Sequence, residues 1–326
     1  MLSNTQVLIA GGFDDYLEPL AAADLYVSRR NDFLPTNSML QARYLAASAT
    51  LGNGTVLIAG GIGGNGVVLN NAEIYDPAVG DFRLTSSNMS DSRYGAAGAL
   101  LSNGYALIAG GLDINNNFQT SADLYNPATD SFVPSASNMS AARQYASAIL
   151  LPTGQVLIAG GYGGGITGSN SADLYDPSTD TFTPSNGTMS SPRCGAAAIL
   201  LANGKVLIVG GEDCAGTPLN SADIYDPATD TFTPSGGKLS DARAWAATVP
   251  LPSGKVLIAG GNDANGPTAT ADLYDPTTDS FAASKGTMSS SRAYAVAVPL
   301  ADGRALIAGG LNIAGQITSG ADLYYP

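Results

Sequence analysis

Apolar and polar positions follow one another along this chain in runs of strand length, punctuated by turn residues. A run of the form Val-Leu-Ile-Ala, as at Val256 to Ala259, ends in a glycine doublet. About ten residues later comes Ala-Asp-Leu-Tyr, usually followed by Asp-Pro. Within Met189 to Thr233 the pattern predicts four strands: the small-residue run Gly195 to Leu201, the β-branched run Lys205 to Val209, then Ala222 to Tyr225 and Thr231 to Thr233. Ala-Asn-Gly, a variable loop and Asp-Pro-Ala-Thr-Asp separate them, all of it turn chemistry. Nothing in the unit reads as a helix.

The doublet recurs at Gly11-Gly12, Gly60-Gly61, Gly110-Gly111, Gly160-Gly161, Gly210-Gly211, Gly260-Gly261 and Gly309-Gly310, a spacing of 49 or 50 residues. A fixed period of this size signals a propeller, a solenoid or an array. Four short antiparallel strands per period, repeated radially, leave only short protected edges, so the expectation is an all-β propeller with up to four strands per blade. Runs rich in alanine and glycine, such as Ala96, Ala97, Gly98 and Ala99, are assigned to the innermost strand, where space is tightest. The doublet strand and the Tyr strand occur seven times, the small-residue strand and the outer Phe strand six times. One domain over 1–326 follows, with seven blades near 1–39, 40–88, 89–138, 139–188, 189–238, 239–287 and 288–326, each terminal blade lacking a strand. In the six-blade alternative Phe33 and Leu34 complete the last blade and the hairpin Val7 to Tyr26 is left over.

The apolar run with Gly-Gly, then Tyr-Asp-Pro, then an aromatic resembles the kelch repeat, in register over essentially the whole chain. Kelch units often place tryptophan in the outer strand; here Phe33, Phe82, Phe132, Phe182, Phe232 and Phe281 stand there, which is closer to bacterial kelch-like sequences. The resemblance implies a galactose-oxidase-like propeller scaffold. It does not carry over that enzyme's copper radical site, which uses histidine and tyrosine with a cross-linked cysteine, because this chain has no histidine. Ser-His-Asp triads and imidazole bases are removed by the same absence. An enzyme is therefore not the favoured expectation, although kelch-like sialate isomerases keep a sugar-acid isomerase or lyase open as an alternative.

Charge and composition narrow the partners. With 27 acidic against 14 basic residues the net charge is −13, which repels phosphate backbones and anionic membrane surfaces. Neither nucleic acid nor membrane insertion is expected; the apolar runs also fall well short of the ~18 residues of a spanning helix. Met1 to Gln6 has no signal-peptide character.

Strand alternation puts the short, repetitive turns at one face and the loops after Gly-Gly, with the Met-Ser-x-x-Arg segments, at the other. The second face varies between copies, and variable loops on a rigid scaffold are where binding concentrates. It carries most of the acids outside the repeat positions, Asp14, Asp15, Glu18, Asp91, Asp113, Glu212, Asp213, Asp241 and Asp263. Nearer the axis stand Arg43, Arg93, Arg143, Arg193, Arg243 and Arg292. Two roles are open for them: an anion or carboxylate clamp, or bracing against a loop or an aspartate. Within two residues of these arginines come Tyr44, Tyr94, Tyr145, Cys194, Trp245 and Tyr294. Amphipathic rings at a concave mouth suit sugar or peptide contacts; alternatively they pack beneath the loops.

Cys194 and Cys214 fall at matching ends of one hairpin, residue 194 lying opposite about residue 212. A disulfide there favours secretion, against two buried free thiols in a cytosolic protein. The pairs Asp14-Asp15 and Glu212-Asp213 are candidate calcium donors, without a loop signature to assign ligands; no other cofactor or metal site is expected. The combined expectation is a non-catalytic extracellular module recognising glycan or protein ligands on the variable face. The alternative is an assembly subunit joined through the edges of its terminal blades.

Overall fold

The computed structural model describes residues 2, 6–164, 168–213 and 215–326. The chain is all-β, a seven-bladed propeller of antiparallel sheets; the only helical element among the described residues is a single 3-10 turn, Gly64–Gly66. Five sheets have four strands, while Gln6–Ala10, Ala23–Val27 and Asp32–Pro35 form a first sheet of three, and Val296–Pro299, Ala305–Ala308 and Ala321–Tyr324 a last sheet of three. Among the described residues seven blade sheets, beside a two-stranded ribbon of Asn262–Asp263 and Gly266–Pro267, decide between the two blade counts. No helix among the described residues is long and apolar enough to cross a membrane.

Two compact units divide the chain. The first holds the sheets of blades one to four, the second those of blades five to seven. In the second unit, blade five is built from Ala197–Leu200, Val206–Val209, Ala222–Asp226 and Thr231–Pro234, paired in that order. Blade six follows with Ala247–Pro250, Val256–Ala259, Ala271–Asp275 and Ser280–Ala283. Each boundary lies within two residues of the one the hydrophobic pattern predicts for blade five.

The second strand of each complete blade is nearly uninterrupted apolar sequence because both of its faces are covered. Side chains alternate across a sheet, so Leu207 and Val209 pack with Val256 and Ile258 of blade six, while Leu257 and Ala259 pack with Ala305 and Ile307 of blade seven. The first unit repeats this plan, Leu107 and Ala109 packing with Val156 and Ile158.

Tyrosine and phenylalanine of the third and fourth strands face each other in register, Tyr225 with Phe232 and Tyr274 with Phe281, ring centroids 4.8 Å apart in both. The tyrosine hydroxyls of blades three to six donate to Asp130, Asp180, Asp230 and Asp279 at 2.6–2.9 Å. Those aspartates, held at positive φ, also accept from the preceding blade: Asp279 takes the Ser235 hydroxyl at 2.6 Å and the Gly236 amide at 2.6 Å. The repeated acid before the outer Phe is thus a clamp between blades.

Burial, then the hydrogen bond to the aspartate, raises the pKa of Tyr125, Tyr175, Tyr225 and Tyr274. A folded-state pKa above the unfolded value contributes stability that is complete below the unfolded pKa, about 10 for tyrosine, and is lost as pH climbs towards the folded value. Unfolding free energy is expected to fall above pH about 10, with tyrosinate absorbance of these rings delayed until the protein unfolds. Native-state titration of every tyrosine near its ordinary pKa would contradict this.

Candidate functional site

The motif Met-Ser-x-x-Arg builds the base of the variable face. In blade five, Met189 is buried, the Ser190 amide and hydroxyl donate to the Asp223 carboxylate at 2.9 and 3.0 Å, and Arg193 Nη2 reaches the same carboxylate at 2.7 Å. Arg193 Nη1 then donates to the carbonyls of Gly210 and Ser221, both at 2.9 Å. The pairs Arg43–Glu73, Arg93–Asp123, Arg143–Asp173, Arg243–Asp272 and Arg292–Asp322 repeat the contact at 2.8–2.9 Å. Blade two has leucine where the others have serine and glutamate where they have aspartate; Glu73 accepts the amides of both Leu40 and Gln41.

All six arginines are at most 1 % exposed. Burial lowers the pKa of Arg43, Arg93, Arg193 and Arg243, with the paired carboxylate acting in the opposite direction, and guanidinium stays charged over any working pH. Of the two roles open to Arg43, Arg93, Arg143, Arg193, Arg243 and Arg292, the geometry supplies bracing. An anion clamp would need donors turned to solvent, and these are turned into the sheet.

The structure sorts the aromatic residues into two sets that sequence proximity to arginine had merged. Tyr44 and Tyr94 directly follow their arginines and form antiparallel bridges with Ile62 and Leu112, their rings half-buried; Tyr44 lies edge-on to Phe13 at 5.2 Å. Cys194, Ala244 and Ala293 hold the same bridge position in blades five to seven. Tyr145, Trp245 and Tyr294 come one residue later, where every copy has positive φ: Leu45, Gly95 and Tyr145 in the first unit, Gly195, Trp245 and Tyr294 in the second.

At that later position the backbone forms a collar. Gly95 N donates to Leu45 O at 2.9 Å and Tyr145 N to Gly95 O at 2.8 Å; in the second unit Trp245 N donates to Gly195 O at 3.0 Å and Tyr294 N to Trp245 O at 3.1 Å. Left-handed backbone costs a non-glycine residue roughly 1–2 kcal/mol, and it persists where surrounding contacts over-determine it. Here glycine makes room for its neighbour's ring: a Cβ on Gly195 would stand 2.5 Å from the Trp245 indole, and one on Gly95 would stand 2.6 Å from Tyr145. Trp245 in turn stacks on Tyr294, centroids 5.0 Å apart and 28° between planes. Tyr294 remains 45 % exposed.

That exposed ring borders a cleft of about 480 Å³ in the second unit, together with Glu212 and Pro218 of blade five, Asn262 and Asp263 of blade six, and Asn312 and Ile313 of blade seven. No basic residue lines it. Glu212 accepts the Tyr162 hydroxyl at 2.6 Å. Burial, then the charge of Glu212, raises the pKa of Tyr294.

Several acids of the variable face have local duties. Asp14, Asp113 and Asp213 each accept two backbone amides of their own loop at 2.8–3.0 Å, and Asn312 does the same. Asp263 caps Asn265 at 2.6 Å. Asp91 and Asp241 accept hydroxyls from Ser121 and Thr270. Recurrence three residues after the first doublet glycine was the available signal for these caps. No three Asp, Glu, Cys or His side chains converge among the described residues. Cys194 is buried and bridges to Glu212 through paired backbone hydrogen bonds at 2.9 and 3.0 Å, the register its sequence position implied. Its proposed partner Cys214 lies outside the described residues.

Residues 192–236 match the Kelch motif. No curated protein matches the chain in sequence. Among solved structures, a fungal alcohol oxidase of the AA5 family, in complex with copper, is 18% identical at a TM-score of 0.79, the match covering 100% of this chain and 73% of that one. The structure of YjhT is 18% identical at a TM-score of 0.67, covering 86% of this chain and 94% of that one. Such identities bear on the fold alone. The chain thus carries the kelch motif on a seven-bladed β-propeller similar in fold to that oxidase and to YjhT, and a kelch propeller in general supports binding or scaffolding.

Proposed function

We propose that the protein is a carbohydrate-recognition module whose site is the cleft bordered by Tyr294. One observation carries this: a half-exposed tyrosine is held in left-handed backbone by stacking on the chain's single tryptophan, beside amide and carboxylate groups on a concave surface. Strained, bulky residues persist where the surroundings impose them, and such sites concentrate where ligands are clamped. A rigid aromatic face with polar groups at its margin fits a sugar ring, whose C–H face is apolar and whose rim is hydroxylated. The buried arginine pairs hold the platform and stay out of the contact.

Glycan-array screening followed by calorimetry on the best ligand tests this. Tyr294→Ala is expected to weaken binding roughly 30-fold, the ~2 kcal/mol of a buried aromatic anchor. Trp245→Ala should weaken it as well by releasing Tyr294. Unchanged affinity in Tyr294→Ala, with the fold intact by circular dichroism, would remove the cleft from the account.

A further inference from the structure

The charge of the cleft points to the ligand's chemistry, an inference that rests on the carbohydrate reading above. Glu212 and Asp263 both line the cleft, and nothing basic does. The arginines nearest in sequence, Arg193, Arg243 and Arg292, are at most 1 % exposed and already paired with Asp223, Asp272 and Asp322. Lys205 and Lys255 are spent on Asp226 and Asp275, residues of the turns at the opposite end of their sheets. These five cations are thus withheld from the cleft, Lys238 and Lys285 do not line it, and carboxylates are left in it.

Glu212 keeps one oxygen on Tyr162, which fixes its direction, and Asp263 keeps one on its own loop, which fixes that side chain too. Two oriented carboxylates beside a stacking ring repel uronic and sialic acids, whose charge would enter an unneutralised site. They accept charge-assisted hydrogen bonds from an ammonium group, which are about twice as strong as neutral ones. We propose that the cleft recognises a sugar bearing a free amino group, the hexosamine ring stacking on Tyr294 and its ammonium lying between Glu212 and Asp263.

The test compares three oligosaccharides of equal length by calorimetry on the intact protein: an N-acetylated glucosamine oligomer, its fully deacetylated form, and an oligogalacturonate. Expected is binding of the deacetylated form about tenfold or more tighter than the acetylated one, the advantage shrinking between about 0.1 M and about 1 M salt as screening shortens. Glu212→Gln with Asp263→Asn keeps an oxygen for Tyr162 and for the loop cap, so the double variant should bind both glucosamine oligomers equally. Near-ultraviolet circular dichroism of Trp245 reports that the fold is retained. Equal binding of both oligomers by the unmutated protein overturns the ammonium assignment and leaves the carbohydrate reading standing. Preference for the galacturonate also overturns it, as does a trilysine peptide competing as well as the amino sugar. Binding of none of the sugars overturns the carbohydrate reading itself.

Discussion

Asp223→Ala is expected to lower the stability of the protein by about 3–5 kcal/mol, the cost of stranding one member of a buried ion pair. Arg193 would keep its bonds to the Gly210 and Ser221 carbonyls but lose the carboxylate at 2.7 Å, and Ser190 would lose the acceptor of both its amide and its hydroxyl. Urea titration by tryptophan fluorescence reads the effect directly, because Trp245 is the chain's single tryptophan and lies in the same unit. Two comparisons isolate the cause. Asp226→Ala, which breaks the half-exposed pair with Lys205 at 2.9 Å and the cap on the Ala228 amide at 3.0 Å, should cost about 1–2 kcal/mol. Replacing Arg193 and Asp223 together by apolar residues of similar volume should recover much of the loss, since removing both charges leaves none unpaired. Equal losses in Asp223→Ala and Asp226→Ala would mean that the buried pair has no special weight.

The second large effect is expected from Gly210→Ala, about 2–5 kcal/mol from a left-handed backbone and a collision combined. Gly210 has φ +65, and a Cβ there would stand 2.4 Å from the Arg243 carbonyl oxygen of blade six. Its own carbonyl meanwhile receives Arg193. The doublet glycine is therefore where the brace of one blade and the backbone of the next converge. Gly254→Ala is the control: φ is +82 there but nothing lies within 4 Å, so only the backbone cost of roughly 1–2 kcal/mol should appear. Similar midpoints for the two variants would show that the close approach at Gly210 is slack.

The repeat made the blades legible because each copy restates one solution to one packing problem. Gly-Gly, Ala-Asp-Leu-Tyr and the outer phenylalanine recur wherever the same neighbour is met, so strands and their order could be read to within a residue or two. The bracing role of Arg193 and its equivalents was open in the sequence and closed by burial. The cleft was harder to see. Tyr44 and Tyr294 look alike beside their arginines, yet a shift of one residue moves the side chain from a bridge to the collar, and a single step in register decides direction in extended backbone. Glycine at 95 and 195 was the overlooked mark of the collar position. The acids of the variable loops were likewise read as one rim, although the ones that recur at a fixed offset, such as Asp113 and Asp213, turned out to fasten their own turns.

Those self-fastened turns have a consequence for how such a protein diversifies. Because Asp14, Asp113, Asp213 and Asn312 each close a turn from its first side chain, the closure draws on the backbone amides of Tyr16, Asn115, Ala215 and Ala314 and not on what their side chains are. Crest residues can be exchanged, copy by copy, without renegotiating the architecture beneath. Duplication of a period of about fifty residues then delivers a fresh blank for a new specificity each time, with its fastening already in place.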